Sequence, residues 1–443
     1  MIDRKPAPQT ALVLSPQYPG TDANRAQARL EEAIGLAEAL DLVTTEARIE
    51  PLRRVEASGF FGTGKIEQIA ERVKEAEIAV VIIDAALSPI QQRNLEKKLQ
   101  AKVIDRTGLI LEIFGLRAQT REGRLQVELA RLAYERSRLV RTWTHLERQR
   151  GGRGFLAGPG ETQIETDRRI LADKMAKLRR ELDEVKRTRA LHRKKRQTAP
   201  WPTVALVGYT NAGKSTLFNM LSDAQVLAKD MPFATLDPTV RGVKLPSGRR
   251  VLMSDTVGFI TDLPTELIAA FRATLEEVIE ADVLIHVRDM ADPDHEGRKA
   301  DVESVLAALG AGAEADQHVI EAWNKADQLS AEDHEELVWR AKLPKRENGP
   351  ISIVTSAVTG AGVETLLEQV ELALSVGDVA LHLDFGPSDA EALAFIHRHG
   401  AVISESADPE TGIVSVHVRL SEADAGRFQQ RYGLQEDIET LAD

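Results

Sequence analysis

The 443-residue chain contains no cysteine, and aromatic residues make up only 4% of it. The lack of thiols excludes disulfides, cysteine-ligated metals, iron–sulfur clusters and thiol catalysis. No apolar run approaches the ~18 residues that span a bilayer, and the charged start Met1–Pro6 lacks the apolar segment of a secretory signal. The sequence therefore predicts a cytoplasmic protein with aliphatic cores and no membrane span, and it leaves peripheral attachment to a membrane open.

Charge is distributed unevenly along the chain. The whole sequence carries 57 Lys and Arg against 69 Asp and Glu, a net charge of −12. Residues 131–196 alone carry 20 basic against 9 acidic residues, a local net of +11. The total argues against a nucleic-acid partner, whereas the basic segment favours contact with a polyanion. The alternative interpretation of this segment is a solvated strut that packs the flanking domains together.

The hydrophobic pattern predicts four parts. Residues 1–120 carry three strand-like runs between amphipathic helices and predict a small α/β domain. Residues 121–198 predict a long antiparallel helical hairpin, whose tip is the glycine-rich segment 151–160. Residues 199–376 carry five strand-like runs and predict a mainly parallel sheet with flanking helices. Residues 377–443 predict a small acidic α+β module with two strands and two helices.

The hairpin prediction rests on two series of residues at heptad spacing. The first series is Leu125, Leu129, Leu132, Arg136, Leu139, Trp143 and Leu146, and the second is Leu171, Met175, Leu178, Leu182 and Val185. Arg136 is the one polar residue in either series. The glycines between the two series cannot continue a helix, so the second helix is expected to return along the first.

A phosphate-binding loop is predicted at residues 208–215, which match the pattern G-x-x-x-x-G-K-[ST] in full. A strand-like run precedes the loop and a helix-like run follows it. The glycines let backbone N–H groups face phosphate oxygens, and the helix N-terminus adds its dipole. We expect Lys214 to reach the β- and γ-phosphates and the Ser215 hydroxyl to bind Mg²⁺.

Two further motifs follow at the ends of predicted strands. The carboxylate of Asp255 can hold the magnesium shell, and the N–H of Gly258 can contact the γ-phosphate. A buried Asp327 can accept two hydrogen bonds from guanine N1 and N2, a donor pair that adenine lacks. Asn324 can bridge the base to the phosphate-binding loop, and the stem of Lys325 can pack on the base. These motifs in this order predict a P-loop GTPase.

The last strand and one loop complete the predicted site. Ser356 and Ala357 end the last strand, where a backbone N–H can meet guanine O6. In the loop after the P-loop helix, Thr235 is our first choice to complete the magnesium shell and Thr239 the second. The residues expected to bind nucleotide are Gly208, Tyr209, Thr210, Asn211, Ala212, Gly213, Lys214, Ser215, Phe233, Ala234, Thr235, Leu236, Asp237, Asp255, Thr256, Val257, Gly258, Asn324, Lys325, Ala326, Asp327, Ser356 and Ala357.

Within this set, Lys214, Thr235, Asp255 and Gly258 are expected to act in catalysis, and Ser215 and Thr235 to ligate Mg²⁺. Phe259 stands where Ras-like enzymes place a glutamine that orients the attacking water. A phenylalanine side chain offers that water no hydrogen bond. We therefore expect slow intrinsic hydrolysis that a partner accelerates.

With these motifs in place, the chain resembles the HflX family of translation-factor GTPases over residues 10–375. The segment Gly151–Arg169 is similar to the family's glycine-rich signature, and Ser58–Lys65 is similar to its N-terminal signature. The resemblance implies a GTPase that binds the large ribosomal subunit and splits stalled ribosomes under stress such as heat. It also implies that the hairpin loop approaches the peptidyl-transferase region, with the basic hairpin against rRNA. We expect a monomer in solution.

Other functions remain open from the residues alone. A GTP-dependent RNA-binding scaffold, or a switch for an RNA-processing partner, would fit Phe259. A GTPase that serves tRNA modification is disfavoured, because related enzymes of that kind use a cysteine. The loop Gly59–Ile66 has P-loop spacing but ends in Ile66 where a serine or threonine belongs. We favour a glycine loop that enters a helix, with binding of ATP or rRNA phosphate as the alternative.

Overall fold

The computed structural model describes residues 9–149, 159–196, 201–222, 232–233, 239–261, 275–312, 315, 317–343, 349–376, 378–409, 411–433 and 437–439. The chain divides into two compact units. The first unit comprises residues 1–189, 229–237 and 260–274, and the second comprises 190–228, 238–259 and 275–443. None of the described helices is both long enough and apolar enough to cross a membrane.

The first unit contains a four-stranded parallel sheet in the order β2-β1-β3-β4. Its strands are β1 (Thr10–Gln17), β2 (Val43–Pro51), β3 (Val80–Ile83) and β4 (Lys102–Asp105), and its flanking helices are α1 (Ala23–Glu38), α2 (Thr63–Glu75), α3 (Pro89–Leu99) and α4 (Arg106–Arg117). All four residues of β3 are buried, as expected for a strand covered on both faces. The three predicted strands are present as β1, β3 and β4. The fourth, β2, was not predicted, because it is a half-exposed edge strand without an apolar run.

Two long helices follow, α5 (Arg121–Gln149) and α6 (Pro159–Arg196). Leu125 of α5 and Leu178 of α6 line one cleft of about 340 Å³, so the two helices face each other there. Met175 and Leu182, from the second heptad series, are buried, whereas Arg136 is exposed. Helix α6 begins at Pro159, so the prediction that the whole segment 151–160 is non-helical was wrong for its last two residues, Pro159 and Gly160. Proline is well suited to the first helical position, where its missing N–H needs no partner. Residues 150–158 lie outside the described residues.

The second unit contains a six-stranded sheet in the order β10-β9-β8-β5-β7-β6. Its strands are β5 (Thr203–Gly208), β6 (Thr239–Lys244), β7 (Arg250–Asp255), β8 (Val283–Asp289), β9 (His318–Asn324) and β10 (Ile351–Val354), and its helices are α7 (Lys214–Ser222), α8 (Glu276–Ile279), α9 (His295–Leu309), α10 (Ala331–Lys342) and α11 (Val363–Leu374). All pairs are parallel except β6 with β7. The five predicted strands are present. The sixth, β6, is a short polar edge strand without the apolar run that identified the others.

A second sheet of the same unit is antiparallel, in the order β12-β13-β11-β14. It consists of β11 (Asp378–Phe385), β12 (Ala401–Ala407), β13 (Val414–Ser421) and β14 (Asp437–Glu439), with helices α12 (Ala390–His399) and α13 (Glu422–Tyr432). The element order β-α-β-β-α-β is that of a ferredoxin-like fold. The predicted α+β class is therefore present with two further strands, β12 and β14, which the sequence pattern did not indicate.

Candidate functional site

The phosphate-binding loop joins the carboxyl end of β5 to the first turn of α7. Gly208 has a φ of 149°, and a Cβ atom there would lie 2.2 Å from the carbonyl oxygen of Val287 in β8. Gly213 has a φ of 95°, and its Cβ would lie 2.3 Å from the side-chain nitrogen of Asn324. Both positions therefore require glycine, because neighbouring strand ends pack directly on the loop backbone.

Lys214 is the first residue of α7, and its side chain is buried against the loop. Its Nζ donates to the carbonyl oxygens of Gly208 at 3.1 Å and Tyr209 at 2.7 Å. Burial lowers the pKa of this ammonium group to about 8, although the carboxylate of Asp255 opposes the shift. The lysine thus lies inside the loop curve, where a phosphate group would supply the missing negative charge.

Ser215 and Asp255 form an oxygen-rich pair at the same edge. The Ser215 hydroxyl donates to Oδ2 of Asp255 at 2.7 Å, and Asp255 is fully buried at the end of β7. A hydroxyl beside a carboxylate is a donor set that suits Mg²⁺. Thr239 is the first residue of β6 and pairs with Asp255 in the strand register. Thr235 and its neighbours 234–238 lie outside the described residues.

The segment after β7 lies against the phosphate-binding loop. The Thr256 hydroxyl donates to the carbonyl of Leu206 at 2.6 Å. A Cβ atom on Gly258 would lie 2.9 Å from Cα of Thr210, so only glycine fits there without displacing the loop. Val257 is also buried.

Phe259 joins the same segment to the loop through its backbone. Its N–H donates to the carbonyl of Gly208 at 3.1 Å, and its carbonyl accepts from Thr210 N–H at 2.8 Å. Its side chain is only 1% exposed. Neither its chemistry nor its placement therefore suits this side chain to orient an attacking water.

Asn324 connects three strand ends of the sheet. Its Nδ2 donates to the carbonyl of Ala212 in the phosphate-binding loop at 2.9 Å, and its Oδ1 accepts from Ala357 N–H at 2.9 Å. Ser356 N–H donates to the carbonyl of Ala361. Both amides proposed for guanine O6 already have partners here, so contact with the base would require one of them to change partner.

The residues after Asn324 form a turn at the open edge of the sheet. Lys325 has a φ of 63°, and its Nζ lies 2.8 Å from Oδ2 of Asp289. Asp327 belongs to the short helix Ala326–Gln328 and accepts a hydrogen bond from the Ser356 hydroxyl at 2.6 Å. The expectation that Asp327 is buried was wrong: it is exposed, because its turn lies beyond the strand end where a base would have to enter.

A buried charge network beneath this site was not predicted. The Glu321 carboxylate in β9 accepts from Arg288 at 2.9 Å and from Trp323 at 2.7 Å, and Lys299 lies 2.7 Å from it. Burial acts to raise the pKa of Glu321, but the Lys299 hydrogen bond, the charge of Arg288 and the Trp323 hydrogen bond outweigh it and hold this pKa at about 2. The available signal was the occurrence of charged residues inside otherwise apolar strands.

The second glycine-rich loop, Gly59–Ile66, enters α2 as favoured from sequence. Lys65 Nζ lies 2.8 Å from Oε2 of Glu50, whose side chain is 4% exposed. Ile66 is buried in the hydrophobic core of the sheet. The lysine thus has a partner within the fold, which supports a structural role for it.

The geometry defines a class of protein. A phosphate-binding loop after one parallel strand, an Asp-x-x-Gly segment after its neighbour and an Asn-Lys-x-Asp turn after a third are the elements of a P-loop GTPase. All three lie at the carboxyl edge of one sheet, where open α/β sheets bind ligands.

Comparisons with known proteins agree with this class. Family models match in chain order: GTP-binding GTPase N-terminal at residues 27–115, GTP-binding GTPase Middle Region at 117–196, 50S ribosome-binding GTPase at 203–325 and HflX C-terminal domain at 341–440. The GTPase HflX of Magnetococcus marinus is 47% identical, with 97% of this chain and 96% of that protein covered. The GTPase HflX of Escherichia coli K12 is 46% identical, with 83% and 84% covered. The chain belongs to the HflX family of GTPases.

Among solved structures, one similar chain is a GTP-binding protein from the archaeon Sulfolobus solfataricus in complex with GDP. It is 25% identical, covers 83% of this chain and 99% of its own length, and superposes with a TM-score of 0.43.

Nucleotide affinity is expected to fall as pH rises through 8. Below pH 8 the Lys214 side chain is mostly protonated and carries the positive charge that attracts phosphate. Above pH 8 it is mostly neutral, so Lys214 must take up a proton when the nucleotide binds. Affinity for GDP should therefore be roughly tenfold weaker at pH 9 than at pH 7. Titrations with a fluorescent GDP across this range measure the effect. Lys214→Arg is the control for titration of the nucleotide itself, because the arginine keeps its proton throughout this range. If GDP affinity depends on pH equally steeply in the variant and in the wild type, the prediction is wrong.

The second unit is expected to lose stability in mild acid because of His286. Burial lowers the pKa of this imidazole to about 4, whereas an unfolded histidine titrates near 6.5. Above pH 6.5 the histidine is neutral in both the folded and the unfolded state and costs the fold nothing. As pH falls towards 4, the unfolded state takes up a proton that the folded state does not, and the free energy of unfolding decreases by up to about 3 kcal/mol. Urea unfolding of wild type and His286→Asn at pH 7 and pH 4.5 measures this. The stability difference should shrink at the lower pH; parallel losses would show that His286 is not responsible.

Proposed function

We propose that this GTPase depends on Mg²⁺, binds the large ribosomal subunit and uses GTP binding and hydrolysis to rescue or split stalled ribosomes under stress such as heat. The observation that carries the proposal is a guanine-nucleotide site in a chain that also contains two long helices of high basic charge. Relatives at 46–47% identity are GTPase HflX proteins, and the matched model for residues 203–325 is a 50S ribosome-binding GTPase.

Different residues of the site would bind the phosphates and the magnesium ion. The loop N–H groups and Lys214 would hold the phosphates, and Gly258 N–H would contact the γ-phosphate. Ser215 and Thr235 would ligate Mg²⁺ and Asp255 would hold its outer shell; the bound ion would neutralise negative charge on the nucleotide phosphates. Support for this division comes from the 2.7 Å contact between Ser215 and Asp255 and from the burial of Lys214 in the loop.

Hydrolysis would depend on a partner. The residue after Gly258 is a buried phenylalanine, so the chain provides no glutamine at that position to orient water. A ribosome that contributes or repositions a polar group would raise the rate. This makes nucleotide hydrolysis conditional on arrival at the ribosome.

The basic helices would contact rRNA. Residues 186–196, the last eleven of α6, contain seven Lys or Arg and no acidic residue. Arg179 and Arg180, earlier in the same helix, are exposed. Phosphate contacts of this kind depend strongly on salt, because binding releases counterions. Ribosome affinity should accordingly fall with ionic strength.

A second candidate function is a GTP-dependent RNA-binding scaffold or switch for an RNA-processing partner. The buried Phe259 favours it, since a protein that signals by binding alone needs no group that orients water. A secondary ATP site in the first unit receives less support, because Lys65 is paired with Glu50.

Asp327→Asn is expected to weaken GTP binding and favour xanthine nucleotides. An amide presents a donor where guanine N1 and N2 also donate, whereas xanthine offers an acceptor. GTP affinity should fall at least tenfold while xanthosine triphosphate gains. Competition titrations measure both. Asp333→Asn, an exposed acidic residue of the next helix, is the matched control; unchanged GTP affinity in Asp327→Asn would exclude the guanine-reading role.

Deletion of residues 151–160 is expected to abolish ribosome splitting while nucleotide affinity stays within twofold of wild type. The glycine-rich loop would enter the ribosome, whereas the phosphate-binding loop and the proposed guanine-binding turn belong to the second unit and are not touched by the deletion. Sedimentation with ribosomes and isolated large subunits, in GDP and in a non-hydrolysable GTP analogue, measures binding and splitting, with GTPase rates alongside. If the intact protein pellets with large subunits in neither nucleotide and ribosomes leave its rate unchanged, the ribosome proposal is wrong.

A further inference from the structure

Strands β8 and β9 of the second unit end side by side, directly before the turn that carries Asp327. Asp289, the last residue of β8, is paired in register with Asn324, the last residue of β9. The N–H of Met290 also donates to the carbonyl oxygen of Asn324 at 3.0 Å. The backbone thus brings the side chain of Asp289 next to that of Lys325, the residue that follows β9.

The carboxylate of Asp289 has two partners. Its Oδ1 accepts a hydrogen bond from the N–H of Ala291 at 3.1 Å, which closes a turn within its own loop. Its Oδ2 lies 2.8 Å from Nζ of Lys325. The side chains of Asp289 and Lys325 are 13% and 19% exposed, so the ion pair is largely shielded from water. One oxygen therefore fixes the carboxylate in its loop, and the other holds the lysine.

The loop between β8 and α9 repeats this arrangement with another aspartate. Oδ1 of Asp292 accepts from the N–H of Asp294 at 2.8 Å, and Oδ2 pairs with Arg298. The guanidinium of Arg298 lies over the ring of Tyr209 in the phosphate-binding loop, 4.8 Å from the ring centroid. In both cases closure of the loop uses one oxygen only. The contact with a cation is therefore a second role of each aspartate, and it can be removed separately.

Lys325 stands at the corner of the turn after β9. Its φ of 63° is left-handed, and the chain continues directly into the short helix Ala326–Gln328. With Nζ held at the end of β8, the stem of the lysine is fixed at both of its ends. This stem is the group expected to pack on the base. A free lysine side chain samples many rotamers, and ordering it when a ligand binds lowers the affinity.

We propose that Asp289 is a positioning residue for the base of the nucleotide. By holding Nζ of Lys325, it orders the lysine stem before the nucleotide arrives, so that binding of the base does not have to order it. The inference rests on the proposed binding of guanine at residues 324–327, and it requires neither hydrolysis nor a ribosome. Asp289 affects how tightly the base is held, whereas the choice of guanine belongs to Asp327.

The test compares the affinities of Asp289→Asn for GDP and for inorganic pyrophosphate. The asparagine side chain can still accept from the N–H of Ala291, but it carries no charge to hold Lys325. We expect GDP affinity to fall about three- to tenfold, the cost of ordering one lysine side chain on binding. Pyrophosphate has no base and should bind no more weakly than to the wild type. Isothermal titration calorimetry measures GDP, and displacement of a fluorescent GDP measures pyrophosphate.

A double-mutant cycle shows whether Asp289 acts through Lys325. Lys325→Met removes the ammonium group and keeps an unbranched apolar stem. In this background Asp289→Asn should cause no further loss of GDP affinity, because the ion pair is already absent. Asp294→Asn, which removes a half-buried carboxylate from the same loop, is the matched control for the change in charge. It should leave GDP affinity unchanged.

Three results would overturn the positioning role: unchanged GDP affinity in Asp289→Asn, an equal loss for pyrophosphate, or an equal loss in the wild-type and Lys325→Met backgrounds. Asp327→Asn separates this failure from failure of the proposed base site. If Asp327→Asn shifts the preference towards xanthine nucleotides while Asp289→Asn has no effect, the base binds at this turn without Asp289. If neither variant changes any nucleotide affinity, the base does not bind at this turn.

Discussion

The site depends on one buried side-chain amide. Asn324, at the end of β9, donates to the phosphate-binding loop at Ala212 and accepts from Ala357 beyond β10. The loop approaches so closely that Gly213 has no room for a Cβ atom. Because a buried amide must use its hydrogen-bonding groups, these contacts fix the phosphate-binding loop and the segment proposed to bind the base relative to each other. The nucleotide site is therefore a property of the assembled sheet edge and not of the P-loop alone.

Charge inside the second unit serves the same edge. Glu321 lies three residues before Asn324 and is surrounded by Arg288, Lys299 and the Trp323 indole. A buried ionic group of this kind adds little net stability, but removal of one partner leaves an uncompensated charge. The network therefore constrains which residues can precede Asn324 and how β8, β9 and α9 meet beneath it. The first unit contains a comparable arrangement, in which the buried Arg106 is paired with the buried carboxylates of Glu32 and Asp84.

Motifs and strands that depend on neighbouring residues could be predicted from the sequence, whereas contacts between distant parts of the chain could not. The phosphate-binding loop, the strands beneath it and the order of the motifs follow from patterns a few residues long. The edge strands β2 and β6 lack apolar runs because one side of each strand has no neighbouring strand to cover it. The contact between Arg106 and Thr261 joins residues 155 positions apart, and no periodicity encodes it. Asp327 was expected to be buried because its role was inferred from the bound base, whose own surface would provide the burial.

The phenylalanine after Gly258 is explained by its backbone as much as by its side chain. Phe259 forms a parallel bridge with Tyr209 and exchanges hydrogen bonds with Gly208 and Thr210. Its backbone thereby extends the sheet edge beyond β7, and its ring is buried by the same geometry. A glutamine placed there on this backbone would be directed into the protein and not towards the γ-phosphate. A group that orients the attacking water would therefore have to come from another segment of the chain or from a bound partner.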